Sequence, residues 1–400
     1  MNSSTRTPVP GRWRQACAAL LAGASMAALL VACGGGGDAP AGPAQSFASG
    51  PISGLGSIIV NGVRFDDSAA RVENDEDDSS HNARELKLGM MVEIQGGSID
   101  DNTARASASL IRFGSELVGP VASIDAAAQT LRVLDQTIEV KSTTVFEEGL
   151  AGFGAITVGQ VLEIHAQFNA STGRYVATRI EREDGATAFR LRGRIAALDT
   201  TAKTFKIGDA VINYAGIAPA DLPAAFGNDQ RVRVRLQTAK VNNQWVAISV
   251  RTGVRKVDDI GDARLRGLVT AFTSPQHFEV QGIVVDATNA RFEPNAAAVK
   301  LGALVEVRGQ ASAGTIVATR VKVRDERDDD LQRVELHGLV SALDATAQTF
   351  MLRDIKVNYS RVLEWKNGPP ADLANDKQVE VKGLWSEDRR VLFAVVIEFE

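Results

Sequence analysis

The chain of 400 residues is 44% hydrophobic and carries a net charge of −5, with 44 Lys and Arg against 49 Asp and Glu. That length admits two or more domains, and 36 Gly with 15 Phe fit neither a collagen-like nor a broadly disordered chain. An acidic balance is a poor basis for holding phosphate backbones, which need clustered Lys and Arg. At the N-terminus, Arg6, Arg12 and Arg14 precede the uncharged, mostly apolar run ACAALLAGASMAALLVAC at 16–33. A basic segment followed by such a run reads as a secretory signal. A retained N-terminal anchor helix is the rival reading, because about 18 residues is the lower limit of a membrane span.

The end of the run separates the two. LVAC at 30–33 resembles the bacterial lipobox. The resemblance implies that residues 1–32 are a lipoprotein signal peptide and that Cys33 receives a thioether-linked diacylglycerol and becomes the new N-terminus. GGGGDAPAGPAQSFASGP follows at 34–51, and residues 33–50 are similar to the flexible Gly/Ala/Pro tethers of such proteins. Gly34 after the Cys, rather than Asp, resembles the pattern of lipoproteins sorted onward to the outer membrane. The expected location is therefore the bacterial cell envelope, on the membrane through lipidated Cys33, at the outer membrane and facing the periplasm. Processing removes Cys17 and lipidates Cys33, so the body has no disulfide and is held by its cores alone. The signal takes three of the 44 basic residues and no acid, leaving 41 against 49 and a balance of −8.

Beyond the tether one phrase recurs: LVGPVASIDAAAQTL at 117–131, LRGRIAALDTTAKTF at 191–205 and LHGLVSALDATAQTF at 336–350. Gly119, Gly193, Gly267 and Gly338 sit in the same opening, at spacings of 74, 74 and 71. Each opening leads into a turn and two short alternating runs, such as TLRVLD and TIEVKS, bounded by Gly, Asp or Asn, which is a hairpin signature. The later part of each copy repeats too. Leu162/Ile164, Val232/Val234, Val305/Val307 and Val379/Val381 alternate around Glu163, Arg233, Glu306 and Glu380. That alternation predicts one buried and one wet face. Segments such as APADLPAAF and PPADLAN leave room for one short helix before the fourth strand.

A fifth copy stands first. GSIIVNGVRFDDSAARV at 56–72 matches QHFEVQGIVVDATNARF at 276–292 without a gap, and LGMMVEIQG at 88–96 matches LGALVEVRG at 301–309. Its opening strand is expected to be compressed into GPISGLG, as terminal repeats are often atypical. The copies span 51–115, 116–185, 186–255, 262–326 and 332–400. Each reads β–β–β–short helix–β–β, the order of the OB-fold, a small, partly open Greek-key barrel. The fold class is thus all-β with short helices: a tandem array of five small OB-like five-stranded barrels after a lipoprotein signal peptide. GLGSIIVNGVRFD at 54–66, LKLGMMVEIQG at 86–96 and the VATRI and VATRV strands resemble the bacterial repeat family known as domain of unknown function 5666. That resemblance implies exported lipoproteins with tandem OB-like barrels and little about activity. Because a barrel closes its own core and the connections are short, the five are expected to string out as an elongated array.

Candidate chemistry is sparse. His81 lies in a loop, His165 on the wet face of a fourth strand, His277 at a second strand and His337 in a first strand, at non-equivalent positions. No nucleophile elbow, zinc-protease helix motif or P-loop occurs, so no catalytic residue and no cofactor are expected. The acidic run ENDEDDSSHNARE at 73–85 replaces the first copy's helical connection, and Asp75, Asp77 and Asp78 are its weak metal candidates. Counted from Asp75, the sixth and twelfth positions of a calcium loop hold Ser80 and Leu86 instead of Gly and Glu, so a solvated loop is preferred. RDERDDD at 324–330 reads as a linker. Nucleic acid is not expected as a partner, because the loops after the first strands read Asp–Ala–Ala–Ala, Asp–Thr–Thr–Ala or Asp–Ala–Thr–Ala, and the aromatics Phe205, Tyr214, Phe278, Phe350 and Tyr359 alternate as core residues do. RVRVR at 231–235 reads as one exposed basic stripe. These features favour a non-enzymatic binding or spacing module for an envelope protein or glycan. A periplasmic module that senses or sequesters cations or small ligands is the alternative, and an enzyme comes third.

Overall fold

The computed structural model describes residues 45–74, 80–147, 149–253, 257–324, 333–353, 355–386 and 391–400. The expected signal peptide, Cys33, most of the tether, and Asp75, Asp77 and Asp78 lie outside the described residues. Among the described residues no helix is long and apolar enough to cross a membrane.

The chain is all-β, built of five closed OB-like barrels. In the second barrel the five strands are Leu117–Asp125, Thr130–Val133, Gln136–Phe146, Val161–Asn169 and Arg174–Arg182. The first three form an antiparallel meander. The third pairs in parallel with the fifth, and the fourth runs antiparallel to both the fifth and the first, which closes the barrel. The other four barrels repeat the parallel third-to-fifth closure. One face of each strand must be apolar for this, and Leu131, Val133, Ile138, Leu162 and Ile164 are all buried. The short helix before the fourth strand is a single 3-10 turn in every copy: Ala83–Glu85, Phe153–Ala155, Pro219–Asp221, Ala296–Ala298 and Pro370–Asp372. Asn82 and Glu85 cap the first of these reciprocally, satisfying amides that a helix start leaves open.

The barrels do not string out. Apolar side chains of barrels 1 and 5 form one continuous core, and those of barrels 2 and 3 form another. Phe47 of barrel 1 packs into the core of barrel 4. The joints are strand pairs. The opening strand of barrel 1, Ser46–Leu55, pairs in parallel with the opening strand of barrel 4 over Ser46–Ser49 and with that of barrel 5 at Gly54–Leu55. The opening strands of barrels 2 and 3 pair at Leu117–Val118. The expected line of self-sufficient barrels fails because a barrel of about 65 residues buries too little apolar surface alone to be comfortably stable, and here neighbours supply the rest.

The opening strand of barrel 1 also begins earlier than expected, inside the segment read as tether. Gly50 faces Val92 as Gly267 faces Val305, so Gly50 is this copy's opening glycine, and the compression falls on the turn after it: Ile52 faces Val60 where Val269 faces Val280, three residues fewer. A Cβ at Gly50 would stand 2.6 Å from Asn61 Oδ1, and at Gly119, Gly193 and Gly267 it would stand 2.6, 2.3 and 2.8 Å from Leu134, Ile207 and Gln281. In these four copies the first strand lies too close to the second-to-third hairpin for a side chain, whereas at Gly338 the nearest atom, on Arg353, would be 3.3 Å away. Gly193→Ala is therefore expected to cost about 1–3 kcal/mol through overpacking, whereas Gly154→Ala, with nothing within 4 Å, changes little. Denaturant midpoints of the two variants measure the difference, and equal midpoints would contradict the close approach.

Candidate functional site

The outer faces of the first and fourth strands, expected to be wet, are largely covered. Register places Val118 opposite Glu163, Arg192 opposite Arg233, Arg266 opposite Glu306 and His337 opposite Glu380. None of these eight residues is exposed. Ion pairs neutralise the face both within and between barrels. Arg190 reaches Glu163 at 3.2 Å, Arg264 of barrel 4 reaches Asp101 of barrel 1 at 2.6 Å, and Arg194 of barrel 3 pairs with Glu279 of barrel 4. The RVRVR stripe is part of this covering. Arg231 is buried and Arg233 half-buried, and only Arg235 is exposed.

One set of these groups meets where barrels 1, 2, 3 and 4 converge. Arg231 of barrel 3 donates from Nη2 to both oxygens of Glu116, at 3.1 and 3.0 Å, and from Nη1 to the Gln281 carbonyl of barrel 4 at 3.1 Å. Arg192 approaches Glu116 at 3.7 Å, and the Tyr175 hydroxyl donates to the Arg192 carbonyl at 2.6 Å. A cavity of about 60 Å³ lies among Glu93, Arg112, Glu116, Arg192 and Arg231, room for ordered water between charges that need it. These are structural joints. A buried pair of this kind fixes which barrel meets which, because removing either partner strands a charge.

His165 stands beside this junction and corrects the expectation of a wet-face histidine. It is completely buried, because its strand bulges between His165 and Ala166 and barrel 1 closes over it. Nδ1 lies 3.1 Å from the Gly114 carbonyl, and Nε2 has no hydrogen-bond partner among the described residues. Burial holds the imidazole down to about 4, from 6.5. His277 is exposed as expected, and His81 packs edge-on against Phe113.

His337 is the second correction. Glu335 and His337, two apart on one strand, share a face, and Glu380 stands opposite His337 on the fourth strand. The three form a group whose ligand atoms lie within 4.8 Å of one another, of the kind that could hold a metal ion. His337 Nε2 is 3.3 Å from Glu335 Oε1 and 3.2 Å from Glu380 Oε2. Its Nδ1 lies 2.6 Å from Glu400 Oε1. Barrel 1 supplies a cation: Arg64 Nη1 donates to His337 Nε2 at 2.6 Å, and the guanidinium pairs with Glu335 and with Glu380, the latter at 3.5 Å. Lys382 reaches Glu380 at 2.8 Å. Burial, then the charge of Arg64, lower the His337 pKa against the pull of its bond to Glu400. Burial also works against the Glu380 carboxylate, but Lys382, His337 and Arg64 together keep it below its usual range.

The weak metal candidates Asp75, Asp77 and Asp78 lie outside the described residues. The cluster's signal in the sequence is ELHG at 335–338, the only copy with a histidine before the opening glycine. Glu380 follows by register, but Arg64 and Glu400 come from distant segments that no spacing rule links.

The buried His165 makes stability depend on pH. Above 6.5 the imidazole is neutral in folded and unfolded chains alike. Between 6.5 and about 4 the unfolded chain takes up a proton that the folded chain refuses, so stability falls as pH drops through that window. The loss from this one group approaches about 3 kcal/mol. His165→Asn, whose amide can keep the bond to Gly114, is expected to show a shallower fall in unfolding midpoint between pH 6.5 and 4.5. Parallel curves for the two proteins would refute the assignment.

The family model for Domain of unknown function (DUF5666) matches residues 47–108, 118–181, 266–322 and 337–398, that is, barrels 1, 2, 4 and 5. Barrel 3, from Phe189 to Thr252, has the same strand order without a match. No curated protein matches the chain. The solved structure "drosophila Unr CSD456" matches over 53% of this chain and 98% of that chain, at 12% identity and a TM-score of 0.14, a likeness too low to carry an argument. With four matched repeats that cover more than half of its length, the chain belongs to the DUF5666 family as a tandem array of that domain.

Proposed function

We propose that the chain is an exported, lipid-anchored cell-envelope protein whose joined barrels act as a non-enzymatic binding module for an envelope protein or glycan. The anchoring reading rests on LVAC at 30–33 behind a basic, apolar leader and on Gly34, which favours the outer membrane. The observation that carries the binding reading is the joining of the barrels through shared cores and strand pairs. Independent barrels in a line would favour spacing. Barrels locked together favour a rigid surface that holds a partner in one geometry, because preorganised groups lose little freedom on binding. Twelve residues, 34–45, separate Cys33 from the opening strand at Ser46. Even fully extended, a chain of that length reaches no more than about 45 Å, which keeps barrel 1 near the membrane.

A second reading, cation binding, is favoured by the convergence of Glu335, His337 and Glu380. Nucleic acid remains outside the proposal, since the body is net acidic.

Labelling with a radioactive fatty acid tests the anchor. The wild-type chain is expected to incorporate label, and Cys33→Ser to remain an unlabelled, full-length precursor held by its apolar run. Normal maturation of Cys33→Ser, with no label in either form, sinks the lipoprotein reading. Affinity capture from detergent-solubilised envelopes then addresses the partner: one component recovered near equimolar supports the module, and the same proteins recovered on an unrelated lipoprotein count against it.

A further inference from the structure

Three acceptor atoms on barrel 5 converge on one point. The carboxylates of Glu335 and Glu380 both face His337 Nε2, and that nitrogen presents a lone pair because Nδ1 donates its proton to Glu400 at 2.6 Å. Two anions and a lone pair repel one another unless a cation sits among them. Arg64, reaching in from barrel 1, is that cation at Nε2, while Lys382 flanks the two carboxylates at 3.8 and 2.8 Å. Carboxylate, imidazole and ligand point form the relay found around metal-bound histidines, in which a carboxylate fixes the tautomer and raises ligand basicity. The spacing fits as well. Ligands about 2.0–2.1 Å from a tetrahedral zinc lie about 3.3 Å apart; the two Nε2-to-carboxylate distances are 3.3 and 3.2 Å, and the two carboxylates, within 4.8 Å of each other, would draw together on a bound ion. An imidazole in the set selects zinc-like ions over calcium and magnesium, which prefer oxygen alone.

The cluster also has a way in. A surface groove of about 440 Å³ on the same barrel is lined by Glu335, Lys382, Leu384 and Val396 among others. The Glu335 side chain is 23% exposed and those of His337 and Glu380 are 9% and 10%, so an ion enters past Glu335 to the two deeper ligands.

We propose that Glu335, His337 and Glu380 form a binding site for a zinc-class divalent ion, which competes with the Arg64 guanidinium for the same point. Three protein ligands leave a fourth position for water or for a donor from a partner. Because Arg64 belongs to barrel 1, metal binding exchanges an ion-pair clasp between barrels 1 and 5 for a metal centre on barrel 5. The proposal deepens the binding reading of the chain and rests on it. The fatty-acid experiment addresses Cys33 alone and metal titration addresses this cluster alone, so either can fail without the other.

Calorimetric titration of the full-length chain in detergent, with zinc chloride at neutral pH, is expected to show one site. His337→Gln and Glu380→Gln should weaken it at least tenfold, and Arg64→Ala, which removes the competing cation, should tighten it by about tenfold. Calcium or magnesium at the same concentration should leave the titration unchanged. Should the Gln variants misfold by circular dichroism, cobalt added to the wild-type chain provides the readout: a four-coordinate centre gives intense visible bands that zinc abolishes. Absence of zinc binding in both wild type and Arg64→Ala means that the cluster is only an ion-pair clasp, and the proposal falls. Unchanged zinc affinity in folded His337→Gln and Glu380→Gln places the ion elsewhere and overturns it equally. Weak cobalt bands of six-coordinate type also count against it.

Discussion

A strand at the margin of a sheet has unpaired amides and carbonyls that must find partners, and in this protein the opening strands find them in one another. Ser46–Leu55 gives one edge to its own fourth strand over Ser46–Pro51 and the opposite edge to its own second strand at Ile52–Gly54. The stretches that these two partners leave over pair with barrel 4 at Ser46–Ser49 and with barrel 5 at Gly54–Leu55. Two barrels far apart in the chain are thereby fixed to the first. The same device joins barrels 2 and 3 at Leu117 and Leu191. Edge pairing of this kind is also a safeguard, since an open edge invites aggregation.

Once the opening strands are paired, the charges on their outer faces have to be answered at the boundary. Glu116 has Arg231 and Arg192, Asp101 has Arg264, and Glu335 and Glu380 have Arg64. Each is a pair between barrels. Each of the three groups has a buried member, Arg264 rather than Asp101 in the second, and a buried charge without its partner is costly, so such pairs act on specificity more than on net stability. They give barrels of nearly identical backbone distinct partners. The histidines follow the same logic: the one at 165 is sealed in neutral form by barrel 1, and the one at 337 is wedged against Gly56, where a Cβ would stand 2.2 Å from its own Cβ.

Family membership accounts for the shared barrel and is silent on what the barrel holds, since fold does not carry function. What distinguishes one copy from another is the pair of residues facing each other on strands 1 and 4: Val118 with Glu163, Arg192 with Arg233, Arg266 with Glu306, His337 with Glu380. Three of these pairs serve packing and neutralisation. The last gathers two carboxylates around an imidazole, and it is where ligand chemistry concentrates among the described residues.

The repeats, the strand order and the single helical turn could all be read from the residues alone, because they are local. Alternation at Val305 and Val307 and the turn residues in LDTTAKTF each act over a few positions. The Gly before each turn was legible as a close approach, although Gly50 was hidden by the Gly- and Ala-rich segment in front of it. The covering of the outer faces was not legible. Glu163, Arg233, Glu306 and Glu380 read as polar whether water or another barrel faces them, and so did His165 before Met91 and Gly114 closed over it. A charged residue satisfied by solvent and one satisfied by a distant arginine leave the same letter in the chain. The difference lies in which surfaces meet, and that follows from the pooling of apolar area by barrels each too small to stand comfortably alone.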